Sequence, residues 1–138
     1  MVRIKYAPDL KIKEIVDTIV SSIPEYFSHI DTARVFVYRS YNTRSGAIAR
    51  IHGFPRIWQL ALGSRPAYII EIISENFDLL QCHDKIRTII HELLHIPKTF
   101  SGGLRPHGRY VNPRITNRAF HILSSRLEIE DLCNRLGR

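Results

Sequence analysis

The segment from Cys82 to Pro97 constrains this chain more than any other. Ile86, Ile89, Ile90, Leu93 and Leu94 recur there at helical spacing, so one stripe of a helix is apolar and has to be buried. Pro97 stops that helix, because proline has no N–H to donate and its ring clashes with the preceding turn. The same segment reads His91-Glu92-Leu93-Leu94-His95. Residues four apart lie one turn apart on one helix face. His91 and His95 can therefore aim two imidazoles at a single ion, with Glu92 in reach of a water held there. A helix that is buried on one side and chemically loaded on another needs a supporting layer from the rest of the chain.

The remaining segments can supply it. Ile12, Ile15, Val16, Ile19, Val20 and Ile23 predict an amphipathic N-terminal helix that Pro24 ends. Four short apolar runs follow: Arg34–Tyr38, Ala47–Ile51, Arg56–Leu62 and Ala67–Ile73. Glycine and proline punctuate them, and they are read as four short strands with mostly antiparallel pairing. Asn112 as N-cap and Pro113 as first helical residue open a last helix. Its buried side is Ile115, Ala119, Ile122, Leu123, Ile129, Leu132 and Leu136. The expected fold is α+β: an N-terminal helix, about four mostly antiparallel strands, the His91–His95 helix and a C-terminal helix. With 138 residues, no linker and no repeat, residues 1–138 are read as one domain.

Composition adds limits. Apolar residues make up 44% and charged residues 24%, which excludes disordered and rod-like chains. Twenty Lys+Arg against 13 Asp+Glu leave a charge of +7, a bias towards nucleic acid or acidic partners. No apolar stretch approaches the roughly 20 residues that span a bilayer, and the N-terminus carries charge where a signal peptide needs an apolar run. The expectation is a cytoplasmic protein with no membrane contact. Cys82 and Cys133 form no Cys-x-x-Cys pair. They are read as a helix-start residue and a small buried one rather than as a disulfide framework.

A catalytic zinc needs a third protein ligand and one open position. His107 follows the flexible pair Gly102-Gly103 and the stiff Pro106, and Gly108 permits a turn directly after it. It is the leading candidate. Glu128 and Glu130 are the alternatives. His29, His52, His83 and His121 read as surface or packed residues.

His91-Glu92-x-x-His95 resembles the signature of the zincin metallopeptidases. The distance to His107 differs from that of metzincins. His107-Gly108 ahead of the last helix resembles the SprT-like group. A nearer resemblance, over roughly residues 35–125, is to the putative phage metallopeptidase family. It rests on Tyr68-Ile-Ile-Glu-Ile-Ile, Asn76-Phe77-Asp78, Ile90–Pro97, Phe100-Ser101-Gly102 and Pro106-His107-Gly108. That resemblance implies a compact minimal zincin with one Zn2+ per chain on His91, His95 and His107. It implies a peptide or protein substrate, with Glu92 as general base. Arg109 and Tyr110 beside His107 are candidate contacts to substrate or to the transition state. Arg105, Arg109, Arg114 and Arg118 are a candidate phosphate-binding surface. The strand that receives an extended substrate is expected to be Arg56–Leu62 or Ala67–Ile73. Two other readings of the same residues are a zinc-bearing, nucleic-acid-associated binding module without hydrolytic activity and a metal-dependent endoribonuclease.

Overall fold

The computed structural model describes residues 3–137. Met1 and Val2, the start of the charged N-terminal stretch, lie outside the described residues, as does Arg138. Strand β1 (Lys5–Pro8) leads into helix α1 (Leu10–Ser22), which Asp9 caps by accepting the Ile12 N–H at 2.9 Å. A short helix α2 (Pro24–Phe27) starts at the proline that ends α1. Strand β2 (Val35–Tyr41), strand β3 (Ala49–His52), helix α3 (Arg56–Leu62) and strand β4 (Tyr68–Ile73) follow. Then come α4 (Ser74–Phe77), α5 (Cys82–Leu94), α6 (Pro113–Arg126) and α7 (Ile129–Leu136).

Among the described residues the strands form one sheet in the order β1-β2-β4-β3. β1 pairs antiparallel with β2 and β3 antiparallel with β4, while the central β2–β4 pair is parallel. Alternation along each strand divides the sheet into two faces. Val35, Val37, Ile70 and Ile72 are buried and join the stripes of α1, α5 and α6 in one core. Phe36, Tyr38 and Ile69 on the opposite face are exposed. The fold is thus α+β, with helices against one side of a mixed sheet.

Four readings from sequence change. Arg56–Leu62 is a helix, not a strand. Pro55 precedes it, and Gly63, at φ 61°, caps its end through bonds to the Gln59 and Leu60 carbonyls. Of its residues only Gln59 is buried, and Ile57, Trp58, Leu60 and Leu62 face outward; an apolar run alone does not separate helix from strand. The fourth strand is instead β1, too short and too polar to read. The last helix is two: Leu127 is extended (φ −149°, ψ 164°), and α7 restarts beyond it and packs on α1 and α5. Finally, Cys82 and Cys133 are joined in a disulfide across 51 residues of chain. By loop-closure entropy such a bridge stabilises by about 4 kcal/mol.

Candidate metal centre

α5 delivers the first two histidines. Its stripe, from Ile86 to Leu94, is almost fully buried, which fixes the rotation of the helix and turns His91 and His95 towards one side. His95 sits at the C-cap, where the helix leaves carbonyls without intrahelical partners. The following loop satisfies them. The Arg105 guanidinium donates to the Leu94 carbonyl at 2.8 and 3.1 Å, and the Arg105 N–H donates to the His95 carbonyl at 2.7 Å. His29 donates to the Ile96 carbonyl at 3.0 Å, so it is half-buried and structural rather than a surface residue.

This docking brings His107 to the helix. Two buried anchors hold the loop further out. The Tyr68 hydroxyl accepts the Gly102 N–H and donates to the Gly103 carbonyl, both at 2.8 Å. The Gln59 amide donates to the Phe54 and Ser101 carbonyls, both at 2.8 Å. Gly102, at φ 96°, lies so close to the Phe54 carbonyl and the Gln59 amide that any Cβ would overlap them. Beyond His107, Gly108 turns the chain with its N–H on the Val111 carbonyl at 2.9 Å. Asn112 serves both sides of that turn: its amide donates to the Gly108 carbonyl at 2.7 Å, and its oxygen accepts the Ile115 N–H to cap α6.

The three imidazoles converge. His91 Nε2 and His107 Nε2 are 3.0 Å apart, and the candidate ligand atoms of His91, His95 and His107 all lie within 4.8 Å of one another. Nitrogens about 2.0–2.1 Å from a tetrahedral zinc stand roughly 3.3 Å apart, so small rotations would seat all three on an ion. His95 Nδ1 donates to the Arg105 carbonyl at 2.6 Å, which leaves the Nε2 lone pair for the shared point. Burial, reinforced by His95 and His107, holds the His91 pKa down at about 4. Burial likewise lowers that of His95. Neutral rings are what a metal requires. The donor set, three imidazole nitrogens with no carboxylate among them, suits zinc or a related borderline-soft cation.

Glu92, buried at 7% exposure, lines the space on both sides of the histidines. Burial pushes its pKa up to about 8; a dication a few ångströms away would favour the ionised form. A cavity of about 560 Å3 between Gly46–Ala49 and Thr88, Thr116 and Asn117 opens on one side of His91 and Glu92. One of about 440 Å3, walled by Ala49–Ile51, Leu104 and Pro106, opens on the other. Ala49 of β3 lines both, and among the described residues no strand pairs with the second edge of β3. The free edge next to the site is therefore β3; β4 is central and Arg56–Leu62 is helical.

The remaining candidates separate. Arg105 is engaged with the end of α5 and lies 4.9 Å from the Tyr110 ring centre, while Arg109 lies over the same ring at 5.4 Å. Neither Arg109 nor Tyr110 lines the two cavities. Arg114 and Arg118 are exposed on α6. Glu130 meets His83, not His91, and Glu128 is an exposed residue at the start of α7. His52 ends β3 and bonds Glu71 at 2.7 Å. Sequence reading missed Tyr68, Gln59 and the structural use of Arg105. A polar residue inside an apolar run, as Gln59 is, was the available signal for one of them.

The outer strand β3 of a mixed sheet thus runs beside a helix that brings two histidines and a buried glutamate close to a third histidine. The profile of the Putative phage metallopeptidase family matches residues 4–136, and the chain belongs to that family. Its name places the chain among the metallopeptidases, which act on peptides or proteins with a metal ion. No curated protein and no solved structure gave a match. Among the described residues no helix is long and apolar enough to cross a membrane.

Proposed function

We propose that this protein is a zinc-dependent peptidase with His91, His95 and His107 as metal ligands and Glu92 as general base. One observation carries the reading: three histidines from a helix end and a distant loop converge within 4.8 Å beside a buried glutamate in a cleft edged by a free strand. Zinc in such a site supplies a polarised carbonyl and an acidified water. The chain's own residues do the rest. The open edge of β3 offers backbone N–H and C=O groups to an extended peptide, which holds it with little regard to side chain. The larger cavity, with an apolar lining, takes a side chain adjoining the scissile bond. The Glu92 carboxylate accepts the proton of the attacking water and returns it to the leaving amine. The Arg105 carbonyl keeps the His95 ring in a single tautomer.

The test is hydrolysis of casein and of a peptide library, with and without a chelator, run beside hydrolysis of RNA. Glu92→Gln should lower kcat/KM by ~10²–10⁴-fold and leave metal content unchanged. Chelator-sensitive cleavage of RNA but not of peptides would replace this reading with the nuclease one. Metal binding with neither activity would leave a binding module.

A further inference from the structure

A second convergence of metal-ligating side chains lies at the other end of α5. The helix opens with Cys82 and His83, and α7 carries Glu130 and Cys133 three residues apart on one face. Packing of α5 on α7 joins the pairs. His83 Nε2 is 3.6 Å from Glu130 Oε1, the ligand atoms of His83, Glu130 and Cys133 all lie within 4.8 Å of one another, and Cys82 is bonded to Cys133. The Cys133 sulfur, an imidazole and a carboxylate thus face one another, and the Cys82 sulfur is bonded to the first of them. Cys133 is fully buried, whereas the His83 and Glu130 side chains are 50% and 59% exposed, so the cluster has a closed floor and an open mouth. The mouth is a cavity of about 550 Å3 whose wall includes Cys82, His83, Lys85, Arg87 and Glu130.

We propose that Cys82, His83, Glu130 and Cys133 form a second, redox-gated site for a borderline-soft dication such as zinc. A disulfide alone requires only the two cysteines, and His83 and Glu130 add nothing to it. Together the four match the sulfur, nitrogen and oxygen donors that tetrahedral zinc accepts, and two thiolates disfavour magnesium and calcium. The change needed is small. Sulfurs bonded about 2.0 Å apart stand about 3.8 Å apart on a tetrahedral zinc with bonds of about 2.3 Å. Side-chain rotation supplies that while the Cα atoms stay near their 5.6 Å separation. Two thiolates and one carboxylate around a dication leave one negative charge, which Lys85 in the same wall offsets, Arg87 there being paired with Asp84 at 3.2 Å.

A dithiol reductant gives two electrons and two protons to the Cys82–Cys133 bond and becomes a disulfide itself, and the dication then displaces both thiol protons. A disulfide oxidant reverses this: it takes two electrons from the two thiolates and two protons from solvent to become two thiols, the sulfurs of Cys82 and Cys133 rejoin and the dication leaves. In either state the start of α5 is tied to α7, about 13.5 Å along the helix from His91.

The test uses cobalt(II) as the probe and a chain carrying His91→Ala and His95→Ala, so that the result does not depend on the centre described above. After anaerobic reduction with a phosphine and its removal, one equivalent of cobalt should bind with a thiolate-to-cobalt charge-transfer band. The oxidised chain should bind none, and oxidised glutathione should abolish the band and release the ion. His83→Ala and Glu130→Ala change exposed side chains and should each weaken binding at least ~10-fold. In the parent chain the same site should appear as one additional equivalent on reduction, which keeps the test valid if the double variant does not fold. Absence of a thiolate band in the reduced chain overturns the proposal. So do equal binding in both redox states and affinity unchanged in both single variants.

Discussion

Replacing Tyr68 with phenylalanine removes one oxygen atom and tests how the loop that carries His107 is held. The Tyr68 side chain is 1% exposed, and its hydroxyl joins the Gly102 N–H and the Gly103 carbonyl. Phenylalanine keeps the ring and its edge contact with Phe100 at 5.0 Å, so the change isolates the two hydrogen bonds. Gly103 is exposed, and water can satisfy its carbonyl; Gly102 is buried, and its N–H is left without a partner. An orphaned buried donor costs ~1–3 kcal/mol, and the second bond adds a few tenths. The expected loss is ~1.5–3 kcal/mol, or a fall in Tm of ~5–12 °C for a chain of this size. Urea unfolding of the metal-free, disulfide-intact protein should show a lower midpoint at unchanged m. If about 1.4 kcal/mol of the loss falls on loop docking, metal affinity drops about tenfold. A variant within ~0.5 kcal/mol of the parent, with unchanged metal affinity, would refute this account of how His107 is positioned.

Three further outcomes are expected. His107→Ala should bind zinc at least ~10-fold more weakly in a competition titration; since Glu128 and Glu130 lie elsewhere, full retention would remove His107 from the ligand set. Glu71 is buried, which by itself favours the neutral acid, but hydrogen bonds from Arg50 and His52 outweigh this and lower its pKa from 4.5 to about 2. A carboxylate depressed on folding adds stability above its unfolded pKa that is lost as pH falls through its folded one. Denaturation between pH 4.5 and 2 should therefore destabilise the parent more steeply than Glu71→Gln, and equal slopes would refute the assignment. Arg114→Ala with Arg118→Ala should reduce the salt slope of any duplex DNA binding by about two units with zinc content unchanged; no binding at ~50 mM salt would leave this charge as a solubility feature.

Sequence alone was sufficient for the elements whose determinants lie three or four residues apart. α1, α5 and the start of α6 are set by apolar stripes, by the Asn112-Pro113 cap and by stops at Pro24 and Pro97. The same spacing places His91 and His95 on one face with Glu92 beside them, and the loop that carries the Gly-flanked His107 places its Nε2 3.0 Å from that of His91. Whatever depends on which distant segments meet was decided by the tertiary structure. Arg56–Leu62 is apolar enough for a strand, yet β4 takes the central place between β2 and β3, and the segment becomes a capped helix outside the sheet. Cys82 and Cys133 pair because α7 turns at Leu127 and packs on α5. Arg105, in sequence one of four candidate phosphate contacts, donates to the end of the helix that bears the histidines. Local periodicity and capping are encoded within one turn of chain, whereas strand order, a cross-link over 51 residues and the partner of a loop arginine depend on how the core closes.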